Sequence, residues 1–319
     1  MHRPRLSRAE MPTQSRVCVF SPAPLLTVTI ESLQSGNARI HIHAGGQGFW
    51  VARLVVRLEA EAILCAALGR ELGVVIRTLA EQEGVAVHAV AIAGDNAAYV
   101  HDRRSGVRDV VATAAQPALD RHELDELYTL TVGDAIECGV CVLAGSPATD
   151  VVPVDVYRRL ASDLRENGVA VLADLHGEQL AASLAGGLAL LKVSHEELMR
   201  DGLARSGERD DVVDAIDRLR EAGTRNVVVS RAEQPGLAWM DGTLYEIEAP
   251  RMEVIDHRGA GDSMTAALAV ALARNLAGPD ALRLAAAAGS LNVTRHGLGT
   301  GDRKTIEQLS ANVVVRPLR

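Results

Sequence analysis

Short apolar runs with little polar alternation recur along this chain, separated by stretches with helical spacing. Strand-like runs fall at 17–20, 62–67, 86–92, 140–144, 169–173, 189–192 and 226–230. Amphipathic helical patterns lie between several of them, at 48–59, 72–83, 153–167 and 210–222. A strand that is apolar on both sides needs cover on both faces, and helices between such strands are the crossovers that a parallel sheet requires. The expected core is therefore α/β, a doubly wound, Rossmann-like parallel sheet flanked by helices. The C-terminal third reads mostly as helix, over 262–276, 279–295 and 303–312.

Two regions break this pattern. Residues 26–31 and 39–43 alternate apolar with polar side chains, and so do 97–102 and 107–113 around the turn-like Arg103-Arg104-Ser105-Gly106. Alternation of this kind marks half-exposed strands. The four strands are expected to form a small inserted β-sheet, a lid covering about 24–44 and 96–114. Two ordinary surface hairpins are the other reading. No repeat or linker divides the chain, so 16–319 reads as a single domain behind a flexible tail at 1–15.

Charge narrows the function. With 33 basic and 41 acidic residues the chain carries a formal charge of −8, the wrong sign for a nucleic-acid binder. No run approaches the roughly 18 apolar residues of a membrane span. The basic N-terminal stretch has no apolar core of the kind a signal peptide needs, so a cytoplasmic protein is expected. Cys138-Gly-Val-Cys141 has the spacing of a redox or zinc half-site. There is no second pair, and the motif runs into the apolar stretch 140–143, so small buried residues entering a strand are the expectation. Arginine dominates the basic residues. The two lysines are Lys192 and Lys304, and Lys192 ends an apolar run.

The strongest local signal is Val254-Ile-Asp-His-Arg-Gly-Ala-Gly-Asp262, followed at once by an Ala-rich helical stretch. Small residues let the backbone turn sharply and approach a ligand. The first N–H groups of the helix then converge beside the positive end of its dipole, an anion hole suited to a transferring phosphoryl group. At the lip of that turn Asp262 could take a proton from an attacking hydroxyl, or simply cap the helix.

These residues carry a resemblance. Asp256-x-x-Gly259-Ala260-Gly261-Asp262 resembles the second signature of the PfkB, or ribokinase-like, carbohydrate kinases. Ala44-Gly45-Gly46-Gln47-Gly48-Phe49-Trp50-Val51-Ala52 is similar to their first signature, and Lys192-Val193-Ser194-His195-Glu196-Glu197-Leu198 to their K-P-N-x-x-E-L segment. Gly145-Ser146-Pro147 corresponds to a G-S-x-P segment, the stretch 227–236 to an S-x-G-x-x-G nucleotide turn, and 292–301 to the adenine-side loop of the phosphofructokinase-like hexose kinase branch. The matches run in family order from about residue 44 almost to the C-terminus.

The resemblance implies ATP-dependent phosphoryl transfer to an alcohol group of a sugar or sugar phosphate, with ATP and Mg²⁺ as cofactors. Asp262 would be the general base and Gly259, Ala260 and Gly261 the anion hole. Lys192 and Ser194 would lie near the ATP phosphates, Glu197 near the metal through water, and Ser230, Ala232, Gly236 and Asn292 along the nucleotide. Gly45, Gly46, Gln47, Trp50 and Asp256 would meet the acceptor, the inserted strands would close over it, and a homodimer would form through them.

The departures fall mostly on the acceptor side. The family's N-P-A-x-D reads Ser21-Pro22-Ala23-Pro24-Leu25, the signature Lys is Gln47, the signature Asn is Trp50, and the lid arginine is missing, with Ala97 in that stretch. On the ATP side the Pro and Asn of K-P-N are Val193 and Ser194, and the Gly of S-x-G is Ala232. Asp256-His257-Arg258 replaces D-T-T, which puts a monovalent-cation site in doubt and leaves Arg258 as a replacement phosphate cation or a surface arginine. Two other readings stay open: a ligand-binding regulator on a degenerate sugar-kinase fold, and a nucleoside kinase of the same fold, with Trp50 as a stacking surface.

Overall fold

A computed structural model describes residues 15–33, 37–146, 151–295 and 297–318. Residues 1–14 of the expected tail and Pro147 lie outside them. In chain order the first half runs β1 (Arg16–Ser21), β2 (Leu25–Ser32), β3 (Ala38–Gly45), α1 (Gln47–Arg57), β4 (Glu61–Gly69), α2 (Arg70–Gln82), β5 (Ala86–Ile92), β6 (Ala97–Asp102), β7 (Asp109–Ala114), α3 (Arg121–Cys138), β8 (Val140–Ala144) and α4 (Val154–Glu166). The second half runs β9 (Ala170–Asp174), α5 (Gly177–Gly186), β10 (Leu188–Ser194), α6 (His195–Arg200), α7 (Arg209–Glu221), β11 (Thr224–Arg231), β12 (Gln234–Met240), β13 (Thr243–Glu248), α8 (Ala260–Ala273), α9 (Gly278–Asn292), α10 (Arg303–Ser310) and β14 (Val314–Pro317).

The large sheet has the order β14-β13-β12-β11-β10-β9-β8-β1-β4-β5. From β11 to β5 every pairing is parallel, as the uninterrupted apolar runs require. Alternate residues of the strands feed two cores. Val17 and Val19 pack with α1, α2, α8 and α9, whereas Cys18 and Phe20 pack with α3, α4, α5 and α7. Strand order reverses between β1 and β8, the place where doubly wound sheets open a crevice at the carboxyl ends of their strands.

The three helices expected in the C-terminal third are present as α8, α9 and α10, and strands that the sequence pattern did not mark join them. β12 and β13 turn back antiparallel on β11, and β14 completes that edge. β13 alternates only briefly, and the apolar residues of β12 and β14 lie in runs too short to stand out from loop. Three helices also had no counterpart in the sequence pattern. α3 starts with a full capping box, in which Asp120 accepts from His122 N and Glu123 N while Glu123 returns a bond to Asp120 N. α5 and α6 are short, and α6 begins with a second capping box between Ser194 and Glu197.

The inserted strands form one four-stranded sheet, β3-β2-β6-β7, because β2 pairs antiparallel with β3 and parallel with β6. Two independent hairpins would lack the β2–β6 pairing. Register puts Val28 opposite Ile42 and Ile30 opposite Ile40 on one face, and Thr27 opposite His43 and Thr29 opposite His41 on the other. Cys138 ends α3, Gly139 adopts the left-handed turn that stops it, and buried Cys141 enters β8. The cysteine pair thus marks a helix-to-strand junction. No helix among the described residues is long and apolar enough to cross a membrane.

Candidate active site

The crevice is built where β8, β9 and β10 end and α1 and α8 begin. α8 lies across the centre of the sheet, against β1, β8, β9 and β10. Its N-cap is Gly259, at φ 72°, a left-handed conformation that a side chain would strain. No side chain caps this helix, so Asp262 is not the cap, and the first-turn amides have no acceptor within the helix. These amides and the positive end of the helix dipole stand beside the Lys192 ammonium.

Lys192 rises from β10 directly beneath this turn. A Cβ built on Gly261 would collide with its ammonium, so only glycine admits the lysine so close to the backbone. The ammonium is 3.4 Å from Asp174 Oδ1 at the end of β9, and Thr265 Oγ1 donates to Asp174 Oδ2 at 2.6 Å. Burial works against the lysine's charge, yet Asp174, Glu197 and Asp262 outweigh it and raise the pKa above its usual value. Lys192 is therefore a fixed cation.

Asp262 behaves in the opposite way. Burial raises its pKa, the negative charge of Asp174 adds to that, and Lys192 only partly offsets both, which brings the carboxyl to about 7. A carboxylate poised there can accept a proton near neutral pH.

Ser194 and Glu197 serve each other. Ser194 N and Oγ each donate to Glu197 Oε2 at 2.8 Å, and Glu197 N donates to Ser194 Oγ at 3.2 Å. Burial would raise the Glu197 pKa, but Lys192 and these bonds prevail and lower it. Ser194 is the register partner of Ser230 on β11, so the K-x-S segment and the β11–β12 turn sit side by side. In that turn Ala232 holds φ 49°, a left-handed residue where the resembled pattern has glycine. Gly236 follows on β12, close to the Val229 carbonyl.

On the other flank, Gly46 caps α1 at φ 97° and Gln47 starts the helix. Gln47 Oε1 accepts from Gly145 N at 2.7 Å, which ties the start of α1 to the end of β8. Gly45 lies against Leu25, Thr27 and the Trp50 indole, and Gly48 against Ser21. Asn292 is buried and fully engaged: its Nδ2 donates to the Arg258 carbonyl at 2.7 Å and its Oδ1 accepts from Gly299 N at 3.0 Å. Arg53 bonds the neighbouring Leu298 carbonyl, which ties this loop to α1. Arg258 Nε donates to Asp256 Oδ1 at 2.9 Å, so the candidate phosphate cation is paired with the candidate acceptor contact.

Asp174 and Thr265 were not singled out from the sequence. The signal for Asp174 was present, a carboxylate ending the apolar run at 169–174 as Lys192 ends the next. Thr265 carries no such mark, because its role depends on α8 crossing β9.

The family profile described as pfkB family carbohydrate kinase matches residues 26–305. A 1-phosphofructokinase of Vibrio cholerae is 28% identical over 306 residues, covering 94% of this chain and 95% of that protein. The ATP-dependent 6-phosphofructokinase isozyme 2 of Escherichia coli is 28% identical over 295 residues, covering 88% and 94%. The crystal structure of phosphofructokinase-2 from Escherichia coli in complex with potassium superposes with a TM-score of 0.84 at 25% identity, covering 94% of this chain and 99% of that one.

Proposed function

The chain belongs to the pfkB family of carbohydrate kinases, phosphotransferases that act on an alcohol group of a sugar, and we propose that it phosphorylates a sugar or sugar phosphate with Asp262 as general base. The observation that carries this reading is the Asp262 carboxyl, brought to about 7 beside the fixed cation Lys192 at the N-terminus of α8. Asp262 takes the proton of the acceptor hydroxyl as that oxygen attacks the terminal phosphorus of ATP, the bond from that phosphorus to the bridging oxygen breaks, and ADP departs. The first amides of α8, from Gly259 to Asp262, stabilise the charge on the transferring group, and Lys192 neutralises the phosphate chain from below.

The donors near the phosphate side fit Mg²⁺. They are hard oxygens, and among the described residues no three His, Cys, Asp or Glu side chains gather into a cage. That is the setting of an ion held mainly by water and substrate phosphates. Glu197, held by Ser194, would hold it through water. When bound, the ion would neutralise phosphate charge.

The polar face of the small sheet, with Thr27, Thr29, His41 and His43, would cover the acceptor as a lid. Its other face exposes Ile40 and Ile42, 62% and 48% accessible, and would pair with a second copy of the chain. The 1-phosphofructokinase relatives point to a phosphorylated acceptor, whereas Leu25, Trp50 and Ala97 remove polar contacts that the family pattern would supply.

An ADP-release assay with Mg²⁺-ATP across hexose phosphates, free hexoses and nucleosides tests this reading. Turnover on a hexose or hexose phosphate is expected. ATP binding without turnover on any acceptor would contradict it and favour a ligand-binding regulator.

A further inference from the structure

The turn that leads into α8 carries its own counter-ion. The Asp256 side chain is mostly buried, with 12% exposed, whereas its partner Arg258 keeps 46%. Arg258 holds that carboxylate through three donors. Its backbone N–H reaches Oδ1 at 3.1 Å, its Nε reaches the same oxygen at 2.9 Å, and its Nη2 takes Oδ2. A guanidinium is always charged, and its planar fork matches a carboxylate. A carboxylate so far out of water needs a partner of this kind, because desolvation penalises an unpaired charge. The resembled D-T-T pattern keeps the carboxylate but has threonine in place of Arg258, so there the charge is open to an ion from solution.

The oxygens that could hold such an ion are taken in this chain. A monovalent cation is bound by oxygens that replace its water. The Arg258 carbonyl accepts from Asn292 Nδ2 at 2.7 Å, and the Val293 carbonyl accepts from Ile255 N at 2.8 Å and Asp256 N at 3.2 Å. Both Asp256 oxygens are on Arg258. The residues of this turn therefore do not fit a monovalent ion.

We propose that Arg258 is a built-in replacement for a monovalent cation, so that this kinase works without one. Arg258 is then neither a phosphate cation nor a free surface arginine. It is a positioning residue, acting through Asp256 on the turn whose next residue, Gly259, is the N-cap of α8. The effect on activity rests on the kinase reading above, and the charge replacement stands apart from it.

The experiment is the melting temperature and kcat of wild type, Arg258→Thr and the double variant Asp256→Asn/Arg258→Thr. Each is measured in potassium chloride and in tetramethylammonium chloride at equal ionic strength. Tetramethylammonium supplies the same charge but is too large to sit among these oxygens. Wild type should melt within about 1 °C and turn over within about 1.5-fold in the two salts, since an ion that does not bind the folded chain does not shift it. Arg258→Thr, which restores the residue of the resembled pattern, strands the carboxylate. It should melt about 5 °C lower in tetramethylammonium and regain about half of that loss in potassium, with kcat following. The double variant has no carboxylate to neutralise and should behave alike in both salts. A saturable rise of the wild-type melting temperature or kcat with potassium would overturn the proposal, and that comparison needs no variant to fold. An equal loss in both salts for Arg258→Thr would also overturn it, leaving an ordinary ion pair. So would a potassium gain that persists in the double variant, which would put the ion elsewhere. Absence of turnover on every acceptor would contradict the kinase reading, and the melting comparison would still decide the role of Arg258.

Discussion

The ammonium of Lys192 fills the space that a Cβ on Gly261 would need. One glycine therefore sets how closely a fixed cation can approach the first amides of α8. Gly261→Ala should push the lysine away from both the turn and Asp174 while leaving the packed body of α8 intact. Activity should fall by about 10²-fold or more, the scale of losing one preorganised stabilising group. The melting temperature should change by only a few degrees. Steady-state kinetics beside thermal melting separate the two effects, and wild-type turnover in this variant would show that the close approach is unimportant.

Asn292 joins the turn before α8 to the loop at 297–301 through two buried hydrogen bonds. Asn292→Ala leaves the Arg258 carbonyl and the Gly299 N–H without partners, a loss of about 3 kcal/mol at 1–3 kcal/mol for each stranded group. Asn292→Asp should not rescue stability, because it can still accept from Gly299 but sets a carboxylate against the Arg258 carbonyl. Denaturant unfolding of both variants checks this, and an aspartate variant as stable as wild type would contradict it.

Much of this frame was legible in the residues. The apolar runs located the seven parallel strands because strands buried on both faces leave no polar alternation. The lid strands were legible from their alternation, but their joining into one sheet through the β2–β6 pairing was not, since two surface hairpins fit the same residues. The strands β12 to β14 were not legible, because their apolar runs are short and their pairing is decided by the hairpin turn and by β14 returning from the far end of the chain. At the site, Asp262, Lys192 and Glu197 could be read because each stands in a compact local motif. Asp174 and Thr265 meet across 91 residues, and Gln47 meets Gly145 across 98, contacts that no local pattern encodes.

Asp262 also ties stability to pH. Its carboxyl titrates near 7 in the folded chain and near 3.9 when unfolded, so ionisation disfavours the folded state. The penalty begins as pH rises above the unfolded value and is complete above the folded one. Asp262→Asn should therefore melt at a higher temperature than wild type without ligand, with the gap growing from pH 4 to 7 and level beyond. A gap that does not change over that range would contradict the raised value.

Ile40 and Ile42 expose apolar surface on the face of the small sheet opposite His41 and His43. A charge placed there should disfavour pairing of two lids. Under the proposed pairing of lids, Ile42→Glu is expected to lower the mass from that of a dimer to that of a monomer in light scattering coupled to size exclusion. An unchanged mass would show that this face does not hold the copies together.

The most direct test of the account is the single-turnover rate of Asp262→Asn with Mg²⁺-ATP and the acceptor that the wild type uses. The amide keeps the shape of the carboxylate and cannot accept the hydroxyl proton. The rate should fall by about 10²- to 10⁴-fold, the contribution of a positioned general base, while ATP affinity stays within a few-fold. A rate equal to wild type would contradict Asp262 as the base.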